Sequence, residues 1–282
     1  MIHRHPTLPA LLAATLLAAC ATTAEPEGPP RKETVFAVTD AAELIQFNAG
    51  QPRRILARKP LQGLPAGDKL VGLDYRVSRG VLFALSASGR LYTLDTGTAA
   101  LSPVGQAAPV ALQGSSIGVN FNPVADRIRV VSDSGQNLRL HPETGAVAAT
   151  DPALAYAPGD ARQGQAPRLA AAAYTYNKQN DKLTTNYAID RANGSLVTQG
   201  TVEGVVPAVS PNTGVLRSVG PLGTGPLDAA ALDIADTDNA ALAALRQGGR
   251  TRLHLVNLAT GAATALGTVG DGRALWGMAI EP

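Results

Sequence analysis

Three polar residues fall at the same position of a short apolar segment that recurs along the chain. They are Asp74 in residues 71–75, Asn120 in residues 117–121 and Asp233 in residues 230–234. Oxygen atoms from several such segments could converge on Ca²⁺, which prefers carboxylate and amide ligands. The alternative is that each side chain hydrogen-bonds neighbouring backbone. This alternative is favoured because the remaining two copies carry Tyr174 and Ala279 at that position, and neither residue is a good calcium ligand.

A second group of residues could bind an anion. Residues 127–131 and 137–141 are predicted to form a hairpin in which Arg129 lies opposite Arg139. Like charges directly opposite one another are destabilising, so an anionic group should compensate them. An internal ion-pair network could do so with the nearby acids Asp126, Asp133 and Glu143, and an anionic ligand or partner is the alternative. The candidate ligand-binding residues are Asn120, Asn122, Asp126, Arg127, Arg129, Asp133, Asn137 and Arg139.

The sequence offers little for catalysis. Residues 114–118 match G-x-S-x-G, but a nucleophile elbow needs a helix after the serine, and here a strand pattern follows. After residue 20 the only histidines are His141 and His254, and neither has a partner at metal-ligand spacing. We therefore favour binding over catalysis. No catalytic residue, metal or cofactor is predicted, with calcium held by Asp74, Asn120 and Asp233 as the alternative.

The N-terminus has the features of an export signal. Arg4 precedes an apolar run over residues 8–19, which is too short to span a bilayer. The run ends in Leu-Ala-Ala-Cys, which is similar to a bacterial lipobox. We predict a lipoprotein signal peptide over residues 1–19, lipid attachment at Cys20, and a flexible tether over residues 20–32. Alanine rather than aspartate follows Cys20, which favours an outer-membrane lipoprotein facing the periplasm or the cell surface.

Length and composition limit the classes of function. The chain has 282 residues, of which 45% are hydrophobic and 16% are charged, so a disordered chain is excluded. Lysine and arginine number 24 against 22 acidic residues, which gives a formal net charge of +2. This balance argues against nucleic acid as a partner. Cys20 is the only cysteine, so a domain lipidated there has no thiol left for a disulfide.

Two units repeat along the chain and predict the fold. The first is a short apolar strand with a small residue near its start, at Gly72, Gly118, Ala172, Ala231 and Gly277. The second is a hairpin with a turn glycine, at Gly50, Gly97, Gly145, Gly214 and Gly261. One hairpin precedes the first strand copy, and one strand copy follows the last hairpin. The order predicts an all-β, five-bladed β-propeller closed by pairing of its N- and C-terminal strands.

Two alternatives to this assignment remain open from the sequence. A sixth blade would require residues 199–212 to hold a degenerate blade, whereas we interpret that segment as a loop insertion. A helix would suit the Ala- and Leu-rich residues 227–246, but the turn signal at residues 236–239 favours two strands.

Residues 117–139 resemble an exported bacterial family catalogued as domain of unknown function 4394. The resemblance is carried by residues 117–123 (Ile-Gly-Val-Asn-Phe-Asn-Pro), 126–132 and 135–139, with looser matches over residues 72–76 and 219–223. It implies a propeller-like fold and a location in the envelope or outside the cell. It implies no reaction.

The sequence therefore predicts a single propeller domain over residues 33–282 that serves as a binding or scaffolding module at the cell envelope. Its predicted partners are the membrane, through the lipid, and another envelope protein or an anionic small ligand. The alternative function is that of a calcium-dependent propeller hydrolase with the metal in the central channel.

Overall fold

Short β-strands build the fold in the part of the chain that the structure describes, residues 1–3 and 27–282 of this computed structural model. Within those residues the chain forms twenty-one strands and two 3₁₀ helices, arranged in five separate sheets. The all-β prediction is confirmed. Most of the predicted signal segment and the predicted lipid site, Cys20, lie outside the described residues.

Each sheet is one blade, whose strands are given from the hub outwards. Blade 1 contains β21 (Leu275–Ile280), β1 (Thr34–Thr39), β2 (Glu43–Asn48) and β3 (Ile55–Pro60). Blade 2 contains β4 (Leu70–Arg76), β5 (Val81–Ser86), β6 (Leu91–Leu94) and β7 (Leu101–Pro103). Blade 3 contains β8 (Ile117–Asn122), β9 (Arg127–Ser132), β10 (Asn137–Leu140) and β11 (Val147–Thr150).

Blades 4 and 5 complete the ring. Blade 4 contains β13 (Leu169–Tyr174), β14 (Asn186–Asp190), β15 (Ser195–Gln199), β16 (Val215–Pro221) and β12 (Ala155–Tyr156). Blade 5 contains β17 (Ala229–Ile234), β18 (Ala241–Gln247), β19 (Arg250–Val256) and β20 (Ala263–Thr268). The 3₁₀ helices are Val77–Arg79 and Pro211–Thr213.

The inner strands close into a ring. β4 contacts β8, β8 contacts β13, β13 contacts β17, β17 contacts β21, and β21 contacts β4. β21 also pairs antiparallel with β1, placing Met278 opposite Ala37 and Ile280 opposite Val35. This pairing places the two ends of the chain in one blade and so closes the ring. The predicted five-bladed ring and its closure are confirmed.

The apolar core lies between the blades. Five hydrophobic clusters are found among the described residues, and each joins one blade to the next around the ring. Between blades 2 and 3, for example, the rings of Phe83 and Phe121 meet edge to face with centroids 5.1 Å apart. Inner strands are covered on both faces, so all six residues of β13 (Leu-Ala-Ala-Ala-Ala-Tyr) are buried. The sequence of β13 therefore lacks the alternation of polar and apolar residues that a half-exposed sheet shows.

Blade 4 departs from the regular pattern. The segment between β15 and β16 is a loop that carries one 3₁₀ helix, and it forms no sixth blade. The outermost strand, β12, comes from before the blade and pairs parallel with β16. Residues 227–246 contain the strands β17 and β18, as predicted, and no helix.

The last residues of the predicted tether contact blade 1. The backbone N–H of Arg31 donates to Oδ1 of Asn48 (2.8 Å), and the amide of Asn48 donates back to the carbonyl oxygen of Arg31 (2.6 Å). The amide of Gln51 donates to the carbonyl oxygen of Gly28 (3.3 Å). Residues 28–31 therefore lie against the blade before β1 begins.

Small residues allow the inner strands to approach one another. A Cβ added at Gly118 would lie 2.8 Å from the carbonyl carbon of Ala171, and one at Gly277 would lie 2.9 Å from the backbone nitrogen of Leu73. The equivalent residue of blade 4 is Ala171. The comparison of the repeat units, which gave Ala172, was therefore wrong by one residue. The cavity between these strands is only about 30 Å³.

We expect Gly118→Ala to destabilise the fold, because its new methyl group would meet rigid backbone of the next blade. The loss in the free energy of unfolding should be about 1–3 kcal/mol, as for other overpacked positions. Denaturant titration measures it. Gly97→Ala is the control, since a Cβ there would meet only the side-chain oxygen of Asp95, at 3.2 Å. Equal losses in the two variants would contradict the crowded hub.

Candidate functional site

Three side chains hydrogen-bond one blade to the next at the hub. In each case a side-chain oxygen of one inner strand accepts the backbone N–H of the following blade's inner strand. The pairs are Asp74 with Phe121 (2.6 Å), Asn120 with Tyr174 (2.9 Å) and Asp233 with Ile280 (2.7 Å). The three residues that the sequence placed at one repeat position therefore do occupy equivalent positions.

The two blades that lack a polar residue at this position are compensated by their neighbours. In the structure Ala279 and Ala173 occupy this position. The comparison of the repeat units had placed Tyr174 there instead of Ala173. Asp233 accepts the N–H of its own neighbour Ile234 (2.7 Å), and Asp74 likewise accepts that of Tyr75. Three side chains thus supply acceptors for the equivalent backbone N–H of all five inner strands.

Burial governs the protonation of the two hub aspartates. It raises the pKa of Asp233 to about 7, although the N–H groups of Ile280 and Ile234 favour the charged form. Burial also raises the pKa of Asp74 well above its usual range, and the charge of Asp233 adds to that shift. A carboxylate pair of this kind sheds its protons in steps that belong to the pair.

The calcium alternative at the hub stays a prediction. The oxygens of Asp74, Asn120 and Asp233 are engaged with backbone N–H groups in this structure. Over residues 1–3 and 27–282, no group of three or more His, Cys, Asp or Glu side chains is arranged to hold a metal ion. A cation would have to compete with those N–H groups for the same oxygens.

Stability should fall with rising pH because of Asp233. Its pKa is about 7 when folded and 3.8 in its ordinary state, so between these values the folded state binds more protons than the unfolded state. We expect the unfolding free energy of the wild type minus that of Asp233→Asn to decrease from pH 4 to pH 7. The slope should be at most about 1.4 kcal/mol per pH unit. Denaturant titrations at several pH values measure it.

Asp181→Asn, at an exposed position, is the control for the change from Asp to Asn as such, and its free energy of unfolding should stay close to that of the wild type. A constant difference between wild type and Asp233→Asn across this pH range would contradict the assignment.

The predicted pairing of two arginines is confirmed. Arg129 on β9 lies opposite Arg139 on β10. Asp151, just beyond β11, accepts from Nη1 of Arg129 (2.7 Å) and from Nε and Nη2 of Arg139 (2.9 Å each). Burial alone would raise the pKa of Asp151, but the two guanidinium groups outweigh burial and hold it below the usual value. One carboxylate thus separates two like charges.

The acids that the sequence proposed as compensating groups lie elsewhere, and that prediction was wrong. Asp126 and Glu143 both bind Arg76 of blade 2, with Nε of Arg76 2.8 Å from Asp126 Oδ1. Asp133 accepts from the backbone N–H (2.8 Å) and the hydroxyl (2.7 Å) of Ser115, and it also pairs with Arg191. Asp126 and Asp133 therefore connect neighbouring blades rather than neutralise Arg129.

Arg129 holds several segments together from a buried position. Its side chain is only 1% exposed. Besides Asp151, it donates from Nε to the hydroxyl of Tyr174 (3.1 Å), from Nη1 to Oδ1 of Asn137 (2.6 Å), and from Nη2 to Asn212. Asn137 also accepts from the amide of Gln199 (3.1 Å). The guanidinium therefore links blade 3 to the inner strand and the long loop of blade 4.

A cleft of about 420 Å³ lies beside this cluster, between blades 3 and 4. Blade 3 and the inner strand of blade 4 contribute the lining residues Asn122, Arg127, Arg129, Arg139 and Tyr174. Val124 and Ala125, in the turn between β8 and β9 of blade 3, also line it. Two loops of blade 4 contribute the rest, from residues 182–184 and 201–212. Of the sequence candidates, Asn137 contacts Arg129 but does not line the cleft, and Asn120 belongs to the hub.

Comparison with protein families identifies the family of this chain. Residues 43–279 match the family described as a domain of unknown function, DUF4394. The chain belongs to the DUF4394 family. The resemblance, which is most specific in residues 117–139 and was expected over most of residues 34–282, is thereby confirmed, and the match includes strands of all five blades.

The solved structures that this DUF4394 chain matches are similar to it at low sequence identity. A putative 6-phosphogluconolactonase from Bacteroides uniformis has 13% identity and a TM-score of 0.44, with 86% of this chain and 84% of that chain covered. A nidogen/laminin complex has 11% identity and a TM-score of 0.48, with 89% of this chain and 98% of that chain covered. The Myxococcus xanthus glutaminyl cyclase has 13% identity and a TM-score of 0.47, with 76% of this chain and 83% of that chain covered. No curated protein matches the chain.

Several residues of the DUF4394 cleft were not found from the sequence. Asp151 could have been found, because Ala149 pairs with Arg139 and residue 151 projects on the same face of the strand. Lys182, Glu203 and Asn212 lie on loops that carry no repeat signal, and only the extra length of blade 4 marked that region. None of the helices in the described residues of this DUF4394 chain is long and apolar enough to cross a membrane.

Proposed function

We propose that this DUF4394 protein is an exported, lipid-anchored module of the cell envelope that binds an anionic small ligand in the cleft between blades 3 and 4. The observation that carries the proposal is the excess of cationic side chains in that cleft. Its size also suits the role, because small-molecule sites measure about 300–1,000 Å³.

The charges of the cleft favour an anion. Four cationic side chains line it: Arg127, Arg129, Arg139 and Lys182. Against them stand Asp151, which pairs with two of the arginines, and Glu203 in the lining. A concave surface with low-dielectric walls concentrates the field of such an excess and raises the local concentration of counter-ions.

Arg127 is the cation best placed to meet a ligand. Its Nη1 donates to the backbone carbonyl oxygen of Asp126 (2.8 Å), and its side chain is partly exposed. Arg139, by contrast, already forms a two-point contact with Asp151. A planar guanidinium can bind carboxylate or phosphate in the same two-point manner, so Arg127 offers that geometry to a bound anion.

The surroundings of Arg127 support binding without rearrangement. Arg129 is fixed by contacts to Tyr174, Asn137, Asp151 and Asn212, and therefore fixes the side of the cleft against which a ligand would lie. A preformed site avoids the entropy cost of ordering side chains on binding.

Inorganic phosphate should stabilise the protein more than chloride at equal ionic strength. A ligand that binds only the folded state raises its stability in proportion to the occupancy of the site. We expect Arg127→Gln to lose most of the phosphate-dependent rise in Tm, and thermal unfolding measures it. Arg53→Gln, on an exposed turn of blade 1, is the matched control and should respond like the wild type. The same response in both variants would place the phosphate effect outside the cleft.

The proposed anchor predicts covalent lipid at Cys20. In bacteria that process lipoproteins, labelled palmitate should enter the wild type and be lost from Cys20→Ala, while both chains are exported. Gel autoradiography of the purified protein measures the incorporation. An unlabelled wild type would refute the anchor and leave the cleft unaffected.

A further inference from the structure

We infer that the ligand of the cleft is an amphiphilic anion, namely a single-chain carboxylate or phosphate that carries an alkyl or aryl group. This inference rests on the proposed function, since it assumes that the cleft binds an anion at all. It adds that the rim of the cleft binds the apolar part of that ligand.

Exposed aliphatic side chains gather around this one opening. In the part of the chain that the structure describes, nine large hydrophobic residues are exposed, and five of them are found here. Four line the cleft and the fifth follows directly on one of them; they are Val124, Leu183, Val202, Val205 and Val206. Single exposed hydrophobic residues need no explanation, but a cluster at the mouth of a cavity marks a binding surface.

The rim is assembled from three separate connections. Val124 lies in the turn between β8 and β9, and Leu183 lies between β13 and β14. The other three valines lie in the loop between β15 and β16. The apolar residues therefore meet because of the fold, and do not form one apolar stretch of sequence.

Polarity changes with depth in the cleft. The side chains of Arg129 and Arg139 are 1% and 29% exposed, whereas Val206 is 90% exposed. A ligand with its charge at the arginines would extend its other end past the valines. Inorganic phosphate or another small hydrophilic anion would leave those valines in water, so the rim gains contacts only from a ligand with an apolar chain.

Isothermal titration calorimetry with hexyl phosphate and inorganic phosphate tests the inference. Burial of a methylene group strengthens binding about fourfold. We expect hexyl phosphate to bind at least about tenfold more tightly than inorganic phosphate, which corresponds to burial of about two methylenes. The double variant Val205→Ser, Val206→Ser should lose most of this difference and keep its affinity for inorganic phosphate.

Matched variants separate the two parts of the site. Val147→Ser changes an exposed valine on the outer strand of blade 3, away from the cleft, and should behave as the wild type. Arg127→Gln should weaken binding of both phosphates. All of these residues are at least partly exposed, so the fold should be retained, and circular dichroism checks that it is.

Four results would overturn the inference. Equal affinities for the two phosphates would show that the cleft binds an anion but gains nothing from an apolar chain. No binding of either would overturn the proposed function as well. Hexanol binding as tightly as hexyl phosphate would make the site merely apolar. A flotation assay could show that phosphatidylcholine vesicles carry up the wild type but not the double valine variant. If hexyl phosphate then failed to displace the wild type from the vesicles, the rim would be a membrane-inserting loop.

Discussion

The fold depends on giving hydrogen-bond acceptors to buried backbone N–H groups at the hub. Five inner strands meet there, and an unpaired N–H in such a place is costly. Among the described residues, Asp74, Asn120 and Asp233 alone supply side-chain acceptors to these N–H groups, and each aspartate serves its own blade as well as the next. Because each carboxylate has two oxygens, the blades with Ala173 and Ala279 need no polar residue of their own. This arrangement explains why two aspartates lie so close to the axis of an otherwise apolar ring.

The cleft is connected to that hub through Tyr174. Its backbone N–H donates to Asn120 (2.9 Å), and its hydroxyl accepts from Arg129 (3.1 Å). Arg129 in turn fixes Asn212 in the long loop of blade 4. The position of the guanidinium is therefore set from the axis outwards, while Asp151 neutralises one of the two opposed arginines.

Features of the fold that recur with the repeated glycines could be predicted from the sequence. Contacts that depend on packing between distant segments could not. The order of the repeat units predicted ring closure, because glycines such as Gly72 and Gly277 mark the register. In β13 a run of four alanines carries no such landmark, and the alignment slipped by one residue to Tyr174. The opposed arginines followed from strand periodicity, but their partner did not, because Asp126 is taken by Arg76 of another blade. Several acids were close in sequence, and only the packing of blades selects among them.

The candidate site lies where the repeat is least regular. Regular blades use their loops for short turns and their side chains for packing against the next blade, which leaves little space between them. Blade 4 has a longer connection between β15 and β16 and an extra outer strand paired with β16. Gln199, the last residue of β15, contacts Asn137 of blade 3, and Asn212 in the loop contacts Arg129. The loop encloses space beside these residues rather than filling it. A ring that positions one irregular loop over charged strand residues suits the proposed binding function, because the scaffold fixes the charges and the loop defines which ligand shapes can enter.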